Sequence, residues 1–209
     1  MCIALLMATG CGKQTNTNDA ATGDQATVTR AEEIDDMSIY QLTTQWKTQD
    51  DEAITFEDLK GEVLVVVMIY TSCQSACPRL VEDMKNIESK VSASVPSGVR
   101  YVFVSIDPTY DTPERLKAFS IENGMEDSRW LFLQGTEESV REFANVVAVR
   151  YDRISPIDFS HSNIISVFDQ RGVMLHQQEG LVTDYTGTIE TVVNAVPDLR
   201  GERLHDGFQ

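Results

Sequence analysis

Cys73 and Cys77 stand four residues apart in Cys73-Gln74-Ser75-Ala76-Cys77-Pro78, directly after an apolar run over residues 63–70. Where a buried strand turns into a helix, that spacing brings both sulfurs to one face of the first helical turn. There, unpaired N–H groups and the helix dipole favour thiolate. The chemistry open to such a pair is soft-metal binding or reversible disulfide exchange. A static disulfide or two packed thiols would be the unreactive reading of the same pair. The Cys-x-x-x-Cys spacing suits chelation, whereas Cys-x-x-Cys is the usual redox motif. Neither chemistry excludes the other, because a metal ion and a disulfide compete for the same sulfurs.

The elements that must position this pair alternate between strand and helix. Residues 63–70 are a continuous β-branched run, the pattern of a strand covered on both faces, and 99–106 reads as the next buried strand. A helix is expected from about Cys77 to Val91, with Leu80, Met84 and Ile87 on its core side. Before it, residues 38–44 and 53–55 read as a short strand pair and 56–61 as one helical turn ended by glycine. After residue 106, Asp107-Pro108-Thr109-Tyr110-Asp111-Thr112-Pro113-Glu114 turns into a helix with Thr112 as N-cap and Pro113 in the first helical position. Residues 130–133 read as a strand and 136–146 as a helix. A hairpin of 164–169 and 173–179 turns about Gln170-Arg171-Gly172, and 186–196 supplies a last helix. Parallel strands joined by helices, then an antiparallel hairpin and a helix, predict an α/β thioredoxin-like sandwich with a central mixed sheet.

The 209 residues, 42% of them hydrophobic, suffice for one well-buried domain. A net charge of −16 disfavours nucleic acid or an anionic membrane surface as a partner and fits a basic protein or simple solubility. Two further cysteines, Cys2 and Cys11, flank the apolar stretch Ile3-Ala4-Leu5-Leu6-Met7-Ala8. Small residues precede Cys11, as in a bacterial lipoprotein signal. That similarity implies a signal over 1–10, cleaved before Cys11, and a lipid on the Cys11 thiol, although no Lys or Arg precedes the apolar stretch. Residues 11–37 are then expected to form a flexible tether with a span of about 25–30 Å, because they carry too little apolar surface to repay ordering. The polar tail 198–209 is expected to fray. The domain itself is expected over 38–197, outside the cytoplasm and anchored to a membrane of the bacterial cell envelope.

Four blocks occur in order: Lys60-Gly61-Glu62-Val63, Tyr70-Thr71-Ser72-Cys73-Gln74-Ser75-Ala76-Cys77-Pro78, Val104-Ser105-Ile106 running into the Asp107 to Glu114 turn, and Ser160-His161-Ser162. Together they resemble the Sco/SenC family. The resemblance implies a thioredoxin fold and one copper ion, Cu(I) or Cu(II), bound through Cys73, Cys77 and His161. It also implies a part in assembling the copper A centre of cytochrome c oxidase. Relatives often carry an acidic residue between the cysteines, where this chain has Gln74-Ser75-Ala76. The residues agree on their own terms: two thiolates and an imidazole suit copper, which in its Cu(I) state accepts two or three ligands. Zinc normally wants four, so it would need water or Asp107 in addition.

His161 enters the strand 164–168, and in a thioredoxin fold that loop faces the cysteine helix. His176, within the hairpin, and His205, in the tail, read as structural or solvent-facing. Asp107 ends a buried strand beside the cysteines, where ligands collect at the carboxyl ends of parallel strands. It could orient His161 or take a proton as thiols bind metal; alternatively Asp107 and Asp111 cap the helix and shape the turn. Tyr70 reads as core packing. Two functions follow. One is a membrane-tethered copper chaperone that delivers copper to the copper A subunit of cytochrome c oxidase or another apoprotein. The other is a thiol-disulfide oxidoreductase with Cys73 attacking and Cys77 resolving. A peroxidase on the same fold would carry Pro-x-x-x-Thr-x-x-Cys before the helix, and this chain does not.

Overall fold

The computed structural model describes residues 36–73, 76–156, 158–181 and 184–196. The expected signal, the Cys11 lipid site, most of the tether, His205 and the tail lie outside them. At the centre of the fold is β3 (Val63–Ile69), every residue of which is buried. Its run of Val, Leu, Met and Ile has no polar face to show to water, so it can only be an interior strand covered on both sides. Parallel to it runs β4 (Val99–Ser105), and parallel to β4 runs β5 (Trp130–Gln134). On the other flank of β3 the antiparallel hairpin β8 (Ile164–Phe168) and β9 (Met174–Glu179) completes the mixed sheet.

Among the described residues, four helices accompany this sheet: α1 (Cys77–Ser92), α2 (Pro113–Glu122), α3 (Glu137–Val146) and α4 (Thr186–Ala195). The first buries Leu80, Met84 and Ile87 as the spacing predicts, and packs on α4. Thr112 caps α2 by accepting the Arg115 N–H at 3.3 Å, with Pro113 following. Thr136 and Ser139 cap α3 reciprocally. The architecture is the expected thioredoxin-like one.

Two local expectations are corrected. Residues 38–44 do not form a strand. Ser38 accepts the Tyr40 N–H at 3.1 Å and starts a 3-10 turn at Ile39–Gln41. Ile39 and Tyr40 are consecutive and both buried, which the alternating faces of a half-buried strand cannot achieve. The strand lies later, as β1 (Trp46–Thr48), where Trp46 and Thr48 point inward and Lys47 outward. It pairs with β2 (Ala53–Ile54) on one side and extends the sheet by pairing antiparallel to β5 on the other. The second correction is an addition. Two further strands, β6 (Tyr151–Ser155) and β7 (Asp158–His161), form a separate two-stranded sheet. Its strands are mostly exposed, so they lack the inward-facing alternation by which a strand is read from sequence.

Candidate metal centre

Cys73 sits in the turn that leaves β3, and Cys77 is the first residue of α1. Ala76, at the N-cap, has no side chain that can cap the helix. Part of that role falls to the Cys73 sulfur, which accepts the Cys77 N–H at 3.4 Å. Of the two sulfurs, it is Cys73 that meets an N–H of the helix start, the contact expected from the sequence to favour a thiolate. Cys77 differs: it is 1% exposed, and burial pushes its thiol well above the ordinary range.

The turn that carries Cys73 is fixed from below by Asp111. This fully buried carboxylate accepts the Thr71 N–H at 3.1 Å, the Thr71 hydroxyl, and the Ser105 hydroxyl at 2.6 Å. Arg115 adds a hydrogen bond to the Thr71 hydroxyl at 3.1 Å. Burial raises the Asp111 carboxyl above its usual range, and these donors oppose the rise. Asp111 thus joins the end of β4 to the cysteine turn and does not cap α2, a role held by Thr112.

His161 ends β7, and its Nε2 lies 3.7 Å from the Cys77 sulfur. Its Nδ1 is 3.1 Å from the Ser162 carbonyl, which can only accept, so the proton sits on Nδ1 and the Nε2 lone pair faces the thiols. The ligand atoms of Cys73, Cys77 and His161 all lie within 4.8 Å of one another, and no other such group of His, Cys and carboxylate occurs among the described residues. Cys73 and Cys77 are not joined in a disulfide. His176 is half-buried on β9 beside Gly187, outside this group.

Two residues read differently from sequence complete the frame. Tyr70 is more than packing. Its hydroxyl donates to Asp158 and accepts the Phe159 N–H at 3.3 Å, while its ring meets His161 edge-on at 5.8 Å and Phe159 at 5.1 Å. Burial and the hydrogen bonds to Asp158 and Cys73 push its phenol well up, so it stays a donor. Asp107 does not touch His161 directly. It accepts from Arg153 at 2.9 Å, and the Arg153 guanidinium lies 4.2 Å over the Phe159 ring. The Asp107 contact ties β6 to the end of β4, and the Phe159 contact packs Arg153 across the β6–β7 ribbon itself. No local pattern announces Tyr70 or Arg153, because their partners lie 88 and 46 residues away.

A mixed sheet of this topology and a buried thiol pair at the start of α1 define a thioredoxin-like protein with a candidate soft-metal site. The SCO1/SenC family model matches residues 17–196, and the chain belongs to that family. It is 34% identical over 100 residues to the SCO1 protein homolog of Bacillus subtilis, covering 47% of this chain and 51% of that one. It is 28% identical over 71 residues to a putative copper-binding protein of Stutzerimonas stutzeri, covering 34% of this chain and 35% of that one. The chain thus spans about half or less of the length of these two relatives. Among solved structures, a SCO1/SenC family lipoprotein from Bacillus anthracis is 28% identical with a TM-score of 0.66, covering 72% of this chain and 91% of that one. BsSco, described by its disulfide switch and as a member of the Sco family of cytochrome c oxidase assembly proteins, is 26% identical with a TM-score of 0.65, covering 73% and 90%.

Tyr70→Phe keeps the ring and removes the hydroxyl, leaving Asp158 and the Phe159 N–H without this partner. The expected cost is about 1–2 kcal/mol in urea unfolding of the metal-free protein, with altered imidazole NMR signals for His161. An unchanged His161 spectrum would show that the hydroxyl does not hold the ring.

Burial lowers the His161 pKa below its ordinary 6.5, with the Ser162 contact opposing it. The folded protein then binds fewer protons than the unfolded chain just below pH 6.5, so stability rises with pH across that window and falls as the imidazole is forced to charge. The metal-free protein should lose stability on acidification below pH 6.5 more steeply than His161→Gln does. A His161 titration midpoint at or above 6.5 by NMR would contradict this.

Proposed function

We propose that this chain is a copper-handling protein that takes one copper ion through Cys73, Cys77 and His161 and passes it to a copper apoprotein during cytochrome c oxidase assembly, with the copper A subunit as recipient. The convergence of three soft ligand atoms within 4.8 Å, on a frame that fixes the imidazole tautomer, is the observation that carries this reading. A donor set of two sulfurs and one imidazole fits Cu(I), which is content with two or three ligands. A structural zinc site needs a fourth, and Asp107, the candidate considered from sequence, is engaged with Arg153. Copper here is cargo, so the exchange that matters is ligand for ligand with the recipient. The names of the Stutzerimonas and BsSco relatives support copper and oxidase assembly respectively.

The membrane-tethered, extracytoplasmic part of the proposal rests on the residues before Cys11 and on the Bacillus anthracis relative, which is a lipoprotein. In this proposal the anchor is a lipid on Cys11 with residues 11–37 as tether; no helix among the described residues is long and apolar enough to cross a membrane. Mass spectrometry of protein extracted from bacterial membranes should find a diacylglycerol-modified Cys11 as the N-terminal residue. An intact Met1 would overturn it.

A second reading is favoured by the Cys77 N–H held on the Cys73 sulfur. In thiol-disulfide exchange the Cys73 thiolate would attack a partner disulfide, Cys77 would resolve the mixed disulfide, and the partner would leave as a dithiol with two electrons gained. Anaerobic copper titration separates the two readings. The reduced chain should bind about one copper, with His161→Ala weakening binding at least tenfold, the scale of losing one good ligand interaction. Unchanged affinity in that variant would sink the three-ligand site. Disulfide reduction that survives in His161→Ala and vanishes in Cys73→Ser would favour the second reading.

A further inference from the structure

The described arginines divide sharply. Arg79, Arg100, Arg115, Arg129, Arg153 and Arg171 each hold a carboxylate. Arg141 and Arg150 form no ion pair with any described residue, although the chain carries 33 acidic side chains against 17 basic ones. Both are exposed, and both line the same groove. This groove, of about 490 Å³, runs between α3 and β6. Ala144, Val149 and Tyr151 give it apolar surface, and Arg153 also lines it. Asp152 is its acidic member, and Glu137 lies in the adjoining cavity of about 150 Å³ between α3 and Phe159.

Its position gives the groove meaning. Tyr151 is paired directly with His161 across β6 and β7. Arg150 exchanges hydrogen bonds with Ser162, the residue after His161: the Ser162 N–H donates to the Arg150 carbonyl at 2.8 Å, and the Arg150 N–H donates to the Ser162 hydroxyl at 3.3 Å. A polypeptide held in the groove would therefore lie against the strand pair that presents the imidazole.

We propose that the groove between α3 and β6 is a docking surface for an acidic, partly apolar polypeptide segment of the protein served by the Cys73–Cys77–His161 site, with Arg141 and Arg150 taking its carboxylates. In a chain of net charge −16, two neighbouring arginines without carboxylate partners among the described residues make a local positive patch that favours an acidic partner segment over the acidic surface around it. The charges thus favour the orientation that brings the partner to the strand pair carrying His161. A flat anionic membrane fits less well, since the rest of the acidic surface would be drawn against it. The identity of the served protein rests on the proposed function; the docking surface itself does not.

The test uses the full-length metal-free chain and a short fluorescein-labelled peptide of alternating Glu and Leu, with a Gln-for-Glu peptide as control. Fluorescence anisotropy should show binding of the Glu peptide that weakens with added salt. Binding should fall about fivefold or more in Arg141→Gln/Arg150→Gln, the scale expected for two exposed charge contacts, and stay near wild type in Lys85→Gln on α1. Copper titration of the double variant should match wild type, so a loss of docking is distinguishable from a failure of the metal site. Equal binding in the double variant and in Lys85→Gln, or no discrimination between the two peptides, would overturn the proposal. So would phosphatidylglycerol vesicles that bind wild type, but not the double variant, while the Glu peptide binds neither.

Discussion

The strand that carries His161 pairs, among the described residues, only with its neighbour β6, so the central sheet does not place the imidazole through its own ladder. The Tyr70 hydroxyl spans that gap. It leaves the end of β3 and engages Asp158 and Phe159 on β7, while its ring stands edge-on to His161. A two-stranded ribbon with mostly exposed residues has little burial of its own to fix it, and isolated hairpins are marginal in water. Side-chain contacts to the rigid sheet therefore set where the third ligand stands. Arg153, clamped between Asp107 and the face of Phe159, provides a second hold on the same ribbon.

The other half of the site is fixed by a different device. Asp111 binds the backbone and hydroxyl of Thr71 and the hydroxyl of Ser105 from a fully buried position, where each hydrogen bond is strong and an unpaired group would be costly. Both devices gather at the carboxyl ends of the parallel strands β3 and β4, the usual location for sites in open α/β sheets. The sheet supplies rigidity, and side chains just beyond its edge supply aim.

The elements that hold the cysteines were the ones readable from sequence. The β3 run is apolar throughout, β4 is apolar but for Arg100 and Ser105, and the apolar stripe of α1 has helical period, so burial and periodicity agree there. The Cys73–Cys77 spacing and the place of His161 before β8 were equally visible. The residues between 150 and 162 were not, because β6 and β7 bury little and leave no alternating signal. Ser38 to Thr44 misled for the opposite reason: β-formers and aromatics there fill the core from a 3-10 turn, and tertiary burial overrode propensity. The partners of Tyr70, Asp107 and Asp111 join distant segments, and no local pattern encodes such pairings.

The contact between the Cys77 N–H and the Cys73 sulfur makes the two thiols unequal partners. One sulfur accepts an N–H of the helix it precedes, and the other is sealed in the core, where burial disfavours the loss of its proton. The pair therefore has an entrance and a floor. An electrophile, whether metal ion or disulfide, finds the Cys73 sulfur nearer the surface, and the deeper one engages only after giving up its proton. That sequence gives a symmetric-looking motif a direction of travel.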